Sequence, residues 1–384
     1  MANTTIEKCF IEIKNGANIK QGVIDGGYPI TRIESLSNNK FNRDRMGYAG
    51  ITDLEKYYDY ILNDGDLLMS HINSVQFLGR SIVYKKNGDE AIIHGMNLLR
   101  LKPNFDLINP HYINLYFYGK KFRTELARVT KKSVNQASFS VTDLKKISIL
   151  LPTIDIQKAI AEKMESIHKV IEVKKRLLSE YDHLIKSRFV EMFGDPILNQ
   201  KGWNLEKLQS VCPVNKYKGE VENISGKVWL LNLDMIESNT GKIIDYVYED
   251  ENKIASSTIK FDTNCVLYSK LRPYLNKVVV PSKSGYATSE MISMKTDNIN
   301  NYFLSNLLMM NSFVDFANGT SYGAKMPRAS VDMIKNFDLM LPPKSLQDDF
   351  GLFVEQVDKL KFGVQKSLDE TQKLFDSLMQ EYFG

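Results

Sequence analysis

From residue 156 to 194 the chain reads "IQKAIAEKMESIHKVIEVKKRLLSEYDHLIKSRFVEMFG", with no proline and no glycine before Gly194. Its apolar positions step by seven. Met164, Ile171, Leu178, Ile185 and Met192 form one row, and Ile160, Ile167, Lys174, Tyr181 and Arg188 form another four positions earlier. That period predicts a helix that lays a seam against a second helix, with a charged break in one row. Pro152 and Asp155 stand where a helix would start, and Gly194 followed by Pro196 stops it. Residues 346–383 show the same pattern, with Val354, Lys361, Leu368, Phe375 and Tyr382 on one row and Phe350, Val357, Val364, Thr371 and Leu378 on the other. Each helix has one good stripe, broken by polar residues at different heights. Neither would suffice alone, but packed antiparallel they bury both. At 1.5 Å per residue each is roughly 55–60 Å long. The plainer alternative is that each helix only covers the sheet of its own module.

The two helices belong to a longer repeat. Leu151-Pro152, Gln157, Leu178, Leu184, Ser187 and Phe193-Gly194 recur 190 positions later as Leu341-Pro342, Gln347, Leu368, Leu374, Ser377 and Phe383-Gly384. The register holds without a gap from "SVNQASFSVTDLKKISILLP" to "GAKMPRASVDMIKNFDLMLP". The chain therefore reads as modules over 1–152 and 195–342, followed by long helices over 153–194 and 343–384, an arrangement with pseudo-two-fold symmetry. Within the modules, β-like runs such as "AIIHG", "RSIVYKKNGDE", "KVWLLNL", "TNCVLYSKL" and "NKVVVPSKSG" are set off by turn residues. A helical stretch follows in each, "PHYINLYFYGKKFRTELARV" and "NNYFLSNLLMMNSFVDFAN", and then a Ser/Gly/basic loop. The fold class is mixed α+β.

Charge is unevenly shared. Residues 1–152 hold 21 Lys and Arg against 15 Asp and Glu, and residues 195–342 balance at 16 of each. A basic first module suits a polyanion; the neutral second one suits it only if its charges are locally sorted. Cys9, Cys212 and Cys265 form no paired framework, no apolar run is long enough to cross a membrane, and the first residues lack a cationic, apolar leader. A cytoplasmic chain is expected.

Enzymatic signatures are missing. Asn109-Pro110-His111-Tyr112 lacks the second proline of an adenine-methyltransferase loop, and no glycine-rich turn precedes it. Glu12-Ile13-Lys14 and Glu172-Val173-Lys174 have no suitably placed aspartate to complete a nuclease site. The five histidines show no metal-ligand spacing, and "GTSYGAK" lacks a phosphate-loop ending. What remains is binding chemistry. The first module offers Arg43, Arg45, Lys120, Lys121, Arg123, Arg128, Lys131, Lys132, Asn135 and Gln136. The second offers Ser269, Lys270, Arg272, Tyr274, Lys277, Tyr322, Lys325 and Arg328. Arg and Lys hold phosphates, while Arg, Asn and Gln can also bond two atoms of a base edge. The competing reading is ordinary solubilising surface, which weakens where basic groups recur at matching points of a duplicated chain.

In these features the whole chain resembles the specificity subunits of type I restriction–modification systems. "ISILLPTIDIQKAIAEKM" and "FDLMLPPKSLQDDFGLFV" are similar to that family's approach to its long spacer helix. "VLYSKLRPYLNKVVVP" with "ATSEM" is similar to the central strand and loop of a target-recognition domain. The first module departs in its central loop, "LLMSHINSVQFLGR", where Ser70, His71, Asn73 and Arg80 take the corresponding places. The resemblance implies a subunit with no catalysis and no bound cofactor of its own, in which two target domains each read half of a split site in double-stranded DNA. Paired helices set the gap, and two methyltransferase subunits dock on helices marked by Ile160, Met164, Ile171, Leu178, Val354, Leu368 and Phe375. Translocating nuclease subunits would join for cleavage, with S-adenosylmethionine, magnesium and ATP belonging to the partners. The alternative from a different class is a scaffold that binds proteins through its helices and reads no sequence.

Overall fold

The structure is a computed structural model that describes residues 2–24, 26–37, 40–134, 136–323 and 325–384. It divides into two units, residues 1–173 with 368–384, and residues 174–367. Both long helices, Ile154–Phe193 and Lys344–Phe383, have 40 residues, and each contributes part of its length to each unit.

In the first unit four antiparallel strands lie in the order Phe10–Asn15, Leu98–Pro103, Leu67–Ser70, Ser81–Val83. Alternation along them serves two layers. Leu67, Met69, Leu99 and Leu101 join a core with the helices Pro110–Tyr118 and Lys120–Val129, while Leu68, Ile82 and Leu98 join Tyr84 and Ile92 in another. Arg100, on the second set, is buried, with Nη2 donating to Glu12 Oε2 at 2.5 Å and Nη1 to the Ile61 carbonyl at 3.0 Å.

Two local expectations are corrected. The helical stretch over 110–129 is two helices divided at Gly119, where a Cβ would lie 2.4 Å from the Cβ of Phe383; its counterpart divides at Met310. "AIIHG" is not a strand, since Ile93 makes only isolated bridges with Ile30 and Ile61. Burial there pulls the His94 imidazole down to about 3, so it stays neutral.

The second unit has a three-stranded antiparallel sheet, Val278–Val279, Cys265–Ser269, Met291–Lys295. A second sheet is built on Lys227–Leu231, which pairs parallel with Gly285–Ala287. Helices Asn301–Met309 and Asn311–Gly319 cover the first sheet.

The long helices pack on each other within both units. In the first, His168 and Phe375 have ring centroids 6.2 Å apart and Lys163 Nζ donates to the Tyr382 hydroxyl at 3.2 Å, while Phe383 packs 5.2 Å from the Tyr112 ring of the helix Pro110–Tyr118. In the second, Phe189, Phe193, Phe303 and Phe350 form a cluster with centroids 4.8–5.6 Å apart. The polar breaks in the two stripes have partners across the seam. Lys174 donates to the Ser367 carbonyl at 3.0 Å and to its hydroxyl at 2.7 Å, and Lys361 reaches Asp182 at 2.6 Å.

The recurring glutamine has the same task twice. Gln157 accepts from the Asn109 N–H at 2.9 Å and donates to the Pro152 carbonyl at 3.0 Å. Gln347 accepts from the Asn300 N–H at 3.0 Å and donates to the Pro342 carbonyl at 2.8 Å. Asn109 and Asn300 in turn cap the next helix. Both glutamines are buried, so each ties the start of a long helix to the body of its unit. Gln347→Ala would strand a buried N–H and should lower the stability of the second unit by about 2 kcal/mol. Thermal or urea unfolding checks this, and an unchanged midpoint would show the clamp to be idle.

Candidate nucleic-acid interface

Each unit holds its candidate residues on a pair of loops joined by the same backbone bonds. In the first, the Ser70 N–H donates to the Arg80 carbonyl at 2.9 Å and the Phe139 N–H to the His71 carbonyl at 3.2 Å. In the second, the Ser269 N–H donates to the Lys277 carbonyl at 3.0 Å and the Ala329 N–H to the Lys270 carbonyl at 2.8 Å. A loop leaving a central strand is thus stitched to the segment that precedes the short helix before the long one.

The first unit makes this junction a small antiparallel sheet of Lys131–Lys132, Ala137–Ser138 and Ile72–Asn73. It brings Asn73, Lys131, Lys132 and Gln136 together, with both lysines and the glutamine exposed. Arg80 stacks 4.1 Å from the centre of the Phe77 ring. Asn135 lies outside the described residues. Ser70 and His71 are buried in the loop base rather than presented to solvent. The Ser70 hydroxyl is buried and donates to the Phe77 carbonyl at 2.7 Å; His71 is buried beside Phe139, and burial lowers its pKa.

In the second unit the two loops meet through isolated bridges from Leu271 and Tyr322 to Arg328, and the Arg272 N–H donates to the Pro327 carbonyl at 2.7 Å. Arg272 and Asn276 both take left-handed backbone angles, φ +50° and +49°, at the two ends of a single 3-10 turn, Pro273–Leu275. Such angles are strained for residues with a Cβ. Proline presets the turn, and the Asn276 amide donates to the Met309 carbonyl at 3.0 Å. The product is a rigid crest carrying Tyr274, 52 % exposed.

Three candidates of this unit are engaged inside it. The Ser269 hydroxyl donates to the Leu271 carbonyl at 3.0 Å, and Lys277 Nζ donates to the Leu233 carbonyl at 2.6 Å, with burial lowering its pKa. Arg328 is held by Glu290, with Nη2–Oε1 at 2.7 Å and Nε–Oε2 at 2.9 Å, and this pairing pulls the Glu290 carboxyl below its usual range. Lys270, Arg272, Tyr274, Tyr322 and Lys325 remain at least partly open to solvent. Elsewhere in the first unit Arg43 is similarly matched by Glu90 at 2.5 Å.

The helix residues named as a docking surface face inward. Met164, Ile171, Val354 and Leu368 are buried, and Ile160, Leu178 and Phe375 half-buried, because they form the seam and core. Exposed apolar positions on the helices are others, among them Val170, Val173, Leu177, Leu360 and Phe362. Among the described residues no group of three or more His, Cys, Asp or Glu could hold a metal, and no helix is long and apolar enough to cross a membrane. Burial pushes the thiols of all three cysteines up to about 12, far from nucleophilic readiness.

Residues 8–181 match the family described as the type I restriction modification DNA specificity domain. Over that span the chain is similar to the type I restriction–modification specificity subunits. A Methanocaldococcus jannaschii protein provisionally named the type I restriction enzyme MjaX specificity subunit is 32 % identical over 199 residues, 52 % of this chain and 47 % of that one. The chain thus spans about half the length of that relative. The type I restriction enzyme EcoDI specificity subunit of Escherichia coli is 23 % identical over 355 residues, 82 % of this chain and 80 % of that one. The solved type I system S subunit from M. genitalium aligns over 100 % of this chain and 96 % of its own, with a TM-score of 0.57 and 14 % identity, which supports the fold. A chain from a structural study of type I R-M system assembly and conformational transition aligns with a TM-score of 0.55 and 11 % identity.

Removing the counter-charge of Arg328 by Glu290→Ala should free one cation at the loop junction. Elution from a heparin column should then move to higher salt, steepening a plot of log affinity against log salt by roughly one unit. Elution at the wild-type position would place Arg328 outside any polyanion contact.

Proposed function

We propose that this chain is the non-catalytic sequence reader of a type I restriction–modification complex, each unit recognising one half of a split site in double-stranded DNA. One observation carries the reading. Two units that differ in loop sequence use the same backbone stitching to hold a cationic loop pair at the same point of the fold. Shared stitching with different side chains is what two unlike half-sites require. Lys131, Lys132, Lys270 and Lys325 would neutralise phosphates and set register, while Asn73, Gln136, Arg272 and Tyr274 would face base edges.

The long helices, continuous through both units, would set the gap between half-sites and offer their outward apolar positions to two methyltransferase subunits in the cytoplasm, with translocating nuclease subunits joining for cleavage. S-adenosylmethionine, magnesium and ATP would be handled by those partners.

Selection from random duplexes by the chain with its methyltransferase partner should enrich a bipartite motif; a scaffold would enrich nothing. Arg272→Ala should relax one half of that motif only, costing about 1–3 kcal/mol there. An equal loss in both halves would count against the assignment. Deleting seven residues from each long helix removes about 10 Å of rise and should shorten the accepted gap. An unchanged gap would refute the ruler.

A further inference from the structure

Val134 is 99 % exposed at the turn of the Lys131–Ser138 hairpin, where Gly, Asn, Asp and Ser are the residues that favour turning. A β-branched aliphatic side chain there neither helps the turn nor covers any core. The sheet register adds a second member. Lys132 pairs with Ala137 and Ala137 with Asn73, so the chain beyond Lys132 and the chain beyond Asn73 leave by the same end of the sheet. Val75, 59 % exposed, follows Asn73 on that side. Its loop is held firmly, because Arg80 stacks on Phe77 and Arg123 donates to the Leu78 carbonyl at 2.7 Å.

The second unit has a similar composition at its loop ends. Tyr274 and Met326, the latter 51 % exposed, accompany Lys270 and Lys325. Scattered surface apolar residues are ordinary. Apolar tips on both loops of both units, beside basic residues, are a pattern.

An aliphatic pair can offer a base neither donor nor acceptor. Flanked by cations that suit phosphates, it matches one feature of the duplex, the thymine 5-methyl group that lines the major groove. We infer that Val134 and Val75 are specificity-determining residues of the first unit, contacting thymine methyl groups while Lys131 and Lys132 hold neighbouring phosphates. This rests on the DNA-reading function proposed above.

The test uses the full chain with its methyltransferase partner and the duplex recovered by selection. Each thymine on either strand is replaced in turn by deoxyuridine, which removes the methyl and leaves the pairing edge intact. At one or two positions of a single half-site wild-type affinity should fall about fourfold per methyl lost. The double variant Val134→Ser, Val75→Ser should bind the thymine and uracil duplexes equally at those positions. Both side chains are exposed, so its melting curve should overlay that of the wild type. Wild-type indifference to every uracil, discrimination retained by the variant, or half-sites with no A·T pair would overturn the inference and leave sequence reading intact. Failure to enrich any duplex would instead overturn the function on which it rests.

Discussion

The seam between the two long helices is the constraint on which the remaining structure depends. Each helix carries an apolar stripe too broken to stabilise a helix of this length in water, and each unit buries its share of both stripes. The breaks do not weaken this packing at random. Lys174 meets Ser367 and Lys361 meets Asp182 across the seam, contacts that form only when the two helices lie antiparallel in one register. A slip by one turn would break both cross-seam contacts of these half-buried ammonium groups. The same residues that look like flaws in a heptad therefore select the alignment.

From that seam the glutamine clamps carry order outward into each unit. A buried amide that bonds the peptide before the helix and the peptide before the next one fixes where the body begins. The loops rise from central strands whose last residues, Ser70 and Ser269, direct their hydroxyls back into their own loops. Rigidity at the loop bases leaves variation to the tips. Several cations near the loops serve this framework: Lys277 supports a carbonyl and Arg328 answers Glu290. A module with no net charge can still present a locally cationic loop pair, because Lys270, Arg272 and Lys325 gather there while Glu290 is taken up by Arg328.

Much of this was legible in the sequence. The period of seven, the 190-residue repeat and the Pro-to-Gln spacing locate both long helices and the duplicated frame, since they record backbone geometry that tolerates little variation. The candidate loops were also found from residue type, and the structure brings Lys270, Arg272, Tyr274, Tyr322 and Lys325 to one place. Direction was not legible. Ser70, His71, Ser269 and Lys277 share composition with contact residues, yet strand ends turn them inward, which no local pattern reveals. The stripe residues Met164 and Val354 are buried, as the heptad itself implies for positions facing the partner helix, and so are closed to a docking subunit. Val75 and Val134 carry no signal in the sequence, because a valine between turns has no chemical signature until its exposure is known.

The two left-handed residues that bracket Tyr274 limit which substitutions this crest can accept. Positions 272 and 276 tolerate glycine, asparagine or aspartate far better than valine, isoleucine or threonine, whose branched Cβ atoms strain at positive φ. Position 274 has an ordinary backbone and an outward side chain, free of that restriction. Change at this loop is therefore cheapest at the crown and costliest at its pivots, much as a key blank keeps its bow while the bit is recut.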